Sequence, residues 1–312
     1  MELKKIIRNG VLLFIVTALI YLGVMFVLVN VRSGRVPLVY KVVEGLSWKG
    51  GNSYRKFIDF DKKAHYNVLV LGSSHAYRGY DPRIFAASGY TMFNLGTSGQ
   101  SLLNSYYIAT EYIDAGSCDL LILDIYDGAL SGDGFESGSD LLQNISSDRA
   151  AFRMGLSYKD PRMINMLTVR MMSKSQPPLY VDSLYAGNGF SEKWDSLTTA
   201  LPAEAYKTKF RINERQLCYL DQLLAYLQRI KMPVVLVSHP SPKERDQEDH
   251  VGISRTLKAL CTKYRLQYLD YSFDGSLDTR KHFYDSHHLN QAGVILFNKV
   301  LLNDLKKDRY LH

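Results

Sequence analysis

Five short apolar runs, interleaved with stretches of helical periodicity, constrain this chain more than any other feature. The runs lie at 66–71, 91–95, 119–126, 233–238 and 266–270, and the helical patterns at 81–88, 100–114, 213–230, 250–264 and 289–307. Such alternation predicts an α/β fold: a three-layer sandwich around a five-stranded, mostly parallel sheet, covered by helices on both faces. Asp81-Pro82 marks one helix start, with Asp as the cap and Pro at the first helical position, and Gly89 marks its stop. In sheets of this kind ligands bind beyond the carboxyl ends of the strands. Residues that directly follow a strand are therefore the first candidates for a site.

Ahead of the alternation, Val11 to Val29 runs without a charge, after a short segment carrying Lys4, Lys5 and Arg8. A helix needs about 20 apolar residues to cross a bilayer, so 1–31 reads as a cytoplasmic N-terminus and transmembrane anchor. A cleaved signal peptide has a shorter apolar core, about 7–15 residues, ending at a small-x-small site. Asn30-Val31-Arg32-Ser33 offers no such site. Arg32, Arg35 and Lys41 balance the N-terminal positive charges. The short basic N-terminus is expected to stay in the cytoplasm, which sends the domain to the outer side of the inner membrane. Residues 32–63 read as a juxtamembrane linker broken at Trp48-Lys49-Gly50-Gly51, and 64–312 as one domain. Within it, 128–212 breaks the alternation, and an insertion of that length after the third strand is expected to lean over the active edge.

Composition removes some function classes. The net charge is +7, but Lys and Arg are scattered, with no arginine-rich tract and no basic-aromatic patch. No nucleic-acid partner is expected. Cys118, Cys218 and Cys261 form no Cys-x-x-Cys pair and each adjoins apolar sequence, which reads as burial. The acids Asp133, Glu136 and Asp140 match no calcium-loop spacing and read as solvated charge.

Two strings carry chemistry. The first apolar run ends in Gly72-Ser73-Ser74-His75, and Asp285-Ser286-His287-His288 precedes the last helical pattern. A serine lifted off a strand end, with a histidine and a carboxylate supplied by a distant loop, makes up a nucleophilic acyl-transfer site. Ser74 is the expected nucleophile, with Ser73 as the alternative. His288 is the expected base, with His287 as the alternative, and Asp285 orients it. A metal held by Asp285, His287 and His288 is a poor fit, because neighbouring histidines rarely share one ion. The reading therefore has no metal and no cofactor. His239, in the loop after the fourth strand, reads as a rim or plain loop residue.

These strings resemble the SGNH, or GDSL-type, hydrolase superfamily over roughly residues 64 to 305. Gly72-Ser73-Ser74-His75 is similar to that family's first block, and Asp285 with His288 to its last. Asn94-Leu95-Gly96-Thr97-Ser98-Gly99 is similar to its second, which puts Gly99 at the oxyanion-binding glycine. The third block departs: Tyr126-Asp127-Gly128 follows the strand where the family has Gly-x-Asn-Asp. The resemblance implies an SGNH (flavodoxin-like) sheet and a Ser74-His288-Asp285 triad. The amides of Ser74 and Gly99 would form the oxyanion hole, with Tyr126, Asn94, Asn104 or a backbone amide standing in for the absent Asn. The departures resemble the membrane-anchored bacterial branches that aid D-alanylation of lipoteichoic acid or O-acetylation of alginate. That likeness implies an esterase or O-acyltransferase on an acylated cell-envelope glycan or other ester, working beside a membrane-bound O-acyltransferase. The competing expectation is a catalytically weak glycan-binding or scaffold protein that kept the fold.

Overall fold

The computed structural model describes residues 2–199, 201–207, 209–245, 248–273 and 275–311. Its central sheet contains β1 (Tyr66–Leu71), β2 (Met92–Asn94), β3 (Cys118–Asp124), β4 (Val234–Ser238) and β5 (Gln267–Asp270). All neighbours are parallel, in the order β2-β1-β3-β4-β5. The strand alternation explains why both faces are covered. Leu69, Leu71, Leu121, Leu123 and Leu236 point into one core, and Val68, Val70, Leu120, Ile122, Val235 and Val237 into the other. The inner strands β1, β3 and β4 are buried on both faces over most of their length and read as apolar runs, whereas the edge strand β5 is only half-buried.

The helices needed here are α1 (Glu2–Asn30), α2 (Gly51–Asp59), α3 (Ser74–Gly79), α4 (Pro82–Ala87) and α5 (Leu102–Tyr112). An insertion contributes α6 (Asp127–Ser131), α7 (Phe135–Asn144), α8 (Asp148–Ser157) and α9 (Pro161–Met172). The domain closes with α10 (Glu214–Arg229), α11 (Glu248–Tyr264) and α12 (Gln291–Lys307). Helices α5, α10 and α11 cover the leucine face, while α3, α4 and α12 cover the valine face. Local signals set the helix starts. Asp81 caps α4 by accepting from the Arg83 amide at 3.0 Å, and Ser101 and Asn104 form a reciprocal capping box on α5.

Two expectations are corrected. Residues 32–63 are not a free linker: α2 places Phe57 and Phe60 in the leucine-face core, within 5.1 Å of Tyr112 and 5.0 Å of Phe93 respectively. A segment rich in Lys and Asp conceals this because Phe57 and Phe60 turn inward while Ile58 between them stays exposed. The insertion, for its part, does not simply lean over the active edge: α8 packs on α5 and α9 on α1, while Glu136 lines the Ser74 cavity and Phe210 packs on Tyr126 at 5.5 Å. Farther along, the Asn188 carbonyl accepts from the Asn94 amide at 2.9 Å, which covers the open edge of β2.

The polar end of α1 stands free, with Met25 and Val29 its only buried residues. It is the one helix among the described residues long and apolar enough to cross a membrane, with a best-window mean hydropathy of 2.9.

Candidate active site

Strand order reverses direction between β1 and β3, where the chain leaves β1 toward one edge and later returns for the other. In such sheets the binding crevice lies there, at the carboxyl ends of the strands. At that point Gly72 lets β1 pass close to β3, since a Cβ would lie 2.7 Å from the Asp124 carbonyl oxygen. The chain then turns into α3, whose cap is Ser73 and whose first residue is Ser74.

The Ser74 Oγ lies 2.8 Å from His288 Nε2. On the far side of that ring, His288 Nδ1 is 2.8 Å from Asp285 Oδ2. The other carboxylate oxygen accepts from the His287 and His288 amides at 3.0 and 2.7 Å, fixing the loop on its own acid. Burial works against the Asp285 charge, but the hydrogen bond and the charge of His288 outweigh it and hold the carboxyl at about 2. Asp285 is thus an ionised acceptor that requires a proton on His288 Nδ1, leaving Nε2 to face the serine.

Ser73 is committed elsewhere. Its hydroxyl caps α3, lying 3.4 Å from the His75 amide and 3.2 Å from His75 Nδ1. His287 lines the same cavity as Ser74. It packs with its ring centroid 4.0 Å from that of His288 and its Nδ1 3.0 Å from Ser286 Oγ. Burial, then the neighbouring His288, lowers it to about 4, so it is neutral near pH 7.

Gly99 and Tyr126 line the same cavity of about 320 Å³ as Ser74, His287 and His288. Gly99 adopts φ +58°, a left-handed conformation that suits glycine, and its amide makes no backbone hydrogen bond among the described residues. The Ser74 amide sits at the first helical position, where no intrahelical acceptor exists. Two unpaired amides thus border the space beside the Ser74 hydroxyl. Asn94 is a correction: its amide nitrogen donates to the Ala76 carbonyl at 2.7 Å and its oxygen accepts from the Gly96 amide at 3.0 Å. It ties β2 to α3, and with the Tyr80 carbonyl also accepting at 3.4 Å it has no N–H left for an oxyanion. Asn104 is likewise spent, on Tyr158 and the α5 cap.

Sequence reasoning missed the ring stack around the base. His75 lies face to face with Tyr126 at 3.8 Å and with His288 at 4.7 Å, and Tyr284 lies parallel to His288 at 5.4 Å. Burial, then the imidazoles around it, pushes His75 well below its ordinary range, so it stays neutral. Behind it His239 is buried 3.4 Å from Asp124, which also accepts from the Tyr80 hydroxyl at 2.6 Å. His239 is therefore buried behind His75 and does not rim the site. The only forewarning was His75 itself, directly after the serine pair.

The nitrogens of His75, His287 and His288 lie within 4.8 Å of one another. The arrangement still fits a metal poorly. A bound ion must lie in the plane of each imidazole, whereas the His75 and His288 rings stack, and both nitrogens of His288 already face Asp285 and Ser74.

No protein-family model matches the chain, and no curated protein matches it. Among solved structures it is similar to a lipase/acylhydrolase from Enterococcus faecalis, at 14% identity over 78% of this chain and 96% of that one, with a TM-score of 0.41. It is similar to a GDSL-like lipase from Bacteroides thetaiotaomicron at 10% identity, over 81% and 95% of the two chains, with a TM-score of 0.43. An acetyl xylan esterase gives 11% identity, 76% and 99% coverage, and a TM-score of 0.43. Superpositions this loose say nothing about chemistry, which has to come from the side chains.

Proposed function

We propose that this chain is a serine-dependent ester hydrolase or O-acyltransferase of the SGNH type. In this reading α1 anchors it in the inner membrane, and it acts on an acylated cell-envelope glycan on the outer side. The observation that supports it most is the continuous line Ser74 Oγ, His288 Nε2, His288 Nδ1, Asp285, with 2.8 Å at both contacts.

Ser74 attacks the acyl carbonyl as its proton passes to His288, a step in which a positioned base contributes about 10²–10⁴-fold. The oxyanion develops toward the Ser74 and Gly99 amides, and the dipole of the α3 start favours it. His288 then protonates the departing sugar oxygen, leaving an acyl ester on Ser74. Water releases the acid in a hydrolase; in a transferase a sugar hydroxyl takes the acyl group, with a membrane-bound O-acyltransferase as the expected partner. His288 serves as base in either case. The side-chain donor absent after β3 removes one oxyanion contact, which costs about 10²–10³ in rate.

That absent donor is also what favours the second reading, a slow or inactive glycan-binding scaffold. A fluorophosphonate probe separates the two, because it labels an activated serine whatever the substrate. The expected result is labelling of the wild type and none of Ser74→Ala, with p-nitrophenyl acetate hydrolysis falling at least about 10³-fold in the variant. An unlabelled wild type leaves the scaffold reading standing.

A further inference from the structure

Trp48-Lys49-Gly50-Gly51 reads in the sequence as a mere break, yet it is tightly built. The Leu179 amide donates to the Lys49 carbonyl at 2.8 Å, and the Gly51 amide to the Tyr180 carbonyl at 3.2 Å. Gly50 and Gly51 have φ of +140° and +69°, and a Cβ on either would strike Tyr180. From the other side Asn144 accepts from the Gly50 amide at 2.8 Å and donates to the Trp48 carbonyl at 3.1 Å. All this holds two aromatic rings half in solvent. Trp48 is 43% and Tyr180 45% exposed, set edge to face at 6.4 Å.

The two rings wall a cavity of about 550 Å³ with Ser47, Ser98, Glu136 and Asp140, within the usual range of about 300–1,000 Å³ for ligand pockets. Ser98 and Glu136 also line the Ser74 cavity, so the two spaces adjoin across those residues. Asp140 is aimed by hydrogen bonds from Ser53 Oγ at 2.5 Å and Asn144 Nδ2 at 2.8 Å. An ionised carboxylate offers about four acceptor sites, so lone pairs remain for a ligand.

We propose that this second chamber is a sugar subsite: Trp48 and Tyr180 hold a neutral pyranose ring of the substrate, Asp140 and Glu136 accept hydrogen bonds from its hydroxyls, and its ester reaches Ser74. The assignment rests on the ester reading above and names where the glycan lies. Aromatic faces are electronegative and attract the weakly positive axial C–H groups of a pyranose. Carboxylates accept strong hydrogen bonds from hydroxyls. Two acids in the chamber exclude an anionic sugar and also disfavour an anionic lipid surface, the other common setting for exposed Trp and Tyr.

The chain has two tryptophans, so Trp194→Phe makes Trp48 the sole indole reporter. In a Ser74→Ala, Trp194→Phe protein, cellotetraose or chitotetraose should change its emission saturably. Tyr180→Ala should abolish the response and Tyr180→Phe keep it, the latter controlling for folding. In otherwise wild-type protein, Trp48→Ala should lower the ratio of kcat/KM on the O-acetylated form of the bound tetraose to that on p-nitrophenyl acetate at least about tenfold. No response to either tetraose overturns the subsite, as does an unchanged ratio. A response to anionic phospholipid vesicles alone overturns it in favour of a membrane contact. Tetraose binding without Ser74-dependent hydrolysis of any ester upholds the subsite and sinks the ester reading instead.

Discussion

Adjacent histidines in one loop pose a choice that individual side chains resolve. His288 has a partner for each ring nitrogen, the serine on one side and the acid on the other, whereas His287 Nδ1 lies 3.0 Å from Ser286 Oγ and 3.8 Å from the Asp285 carboxylate. His288→Gln should therefore lower kcat/KM at least about 10³-fold and His287→Gln less than about tenfold. Reversed losses would reassign the base. Asp285→Asn should cost about 10⁴ in kcat by favouring the wrong tautomer, with the fold intact. Because Asp285 is held at about 2 and His287 at about 4, the first stays ionised and the second neutral from pH 5 to 9. The pH profile of kcat/KM over that span should keep its shape in His287→Gln; a lost or shifted limb would implicate His287 in the proton transfer.

Secondary-structure elements hold this site through a charged clamp under Tyr126. Asp127, at the start of α6, pairs with Arg245 at 2.6 Å and His250 at 3.0 Å, and His250 on α11 also reaches Asp270 at the end of β5 at 3.1 Å. Burial opposes a charged His250, but its hydrogen bonds to the two carboxylates prevail and raise it to about 9. A raised histidine stabilises the fold fully below its unfolded value of about 6.5, and that stabilisation fades as pH climbs through about 9. After allowance for the solvent that reaches Asp270, about 1–2 kcal/mol is at stake. The melting temperature should drop by a few degrees between pH 6.5 and 9.5, and His250→Gln should flatten that drop; an equal slope in both proteins would dismiss the clamp. None of these partners was legible in the sequence, since Asp127, His250 and Asp270 are far apart and no local pattern links them. The inner strands were legible because each is largely an apolar run buried on both faces. The strings around Ser74 and Asp285 were legible because each adjoins an element boundary. Asn94 misled for the opposite reason: its place in a familiar string says nothing about which carbonyls its amide will meet.

Across the whole molecule the decisive contact is where the apolar helix meets the domain. The Tyr21 hydroxyl donates to Asn165 Oδ1 at 2.8 Å and lies 3.2 Å from Thr168, and Gln176 donates to the Val29 carbonyl at 3.2 Å. With Met25 and Val29 buried at the same place, the last turns of α1 are seated against α9, and only the preceding turns are free to enter lipid. A cleaved leader would leave that seat empty, so the contact favours a retained anchor. In the proposed anchor reading the same contact would limit the tilt of the domain and bring α8 and α9, with Leu156, Ile164 and Met171 exposed, toward the bilayer surface. Protein recovered from membranes should have the mass of a chain that keeps α1. Removing residues 1–20 should release a soluble domain with its melting temperature unchanged. Removing 1–30 should cost about 2–5 kcal/mol, because it strips Met25 and Val29 from a closed apolar seat and leaves Asn165 without its partner. Equal stability in the two truncations would mean that the seat holds nothing in place and that α1 is no more than a tether.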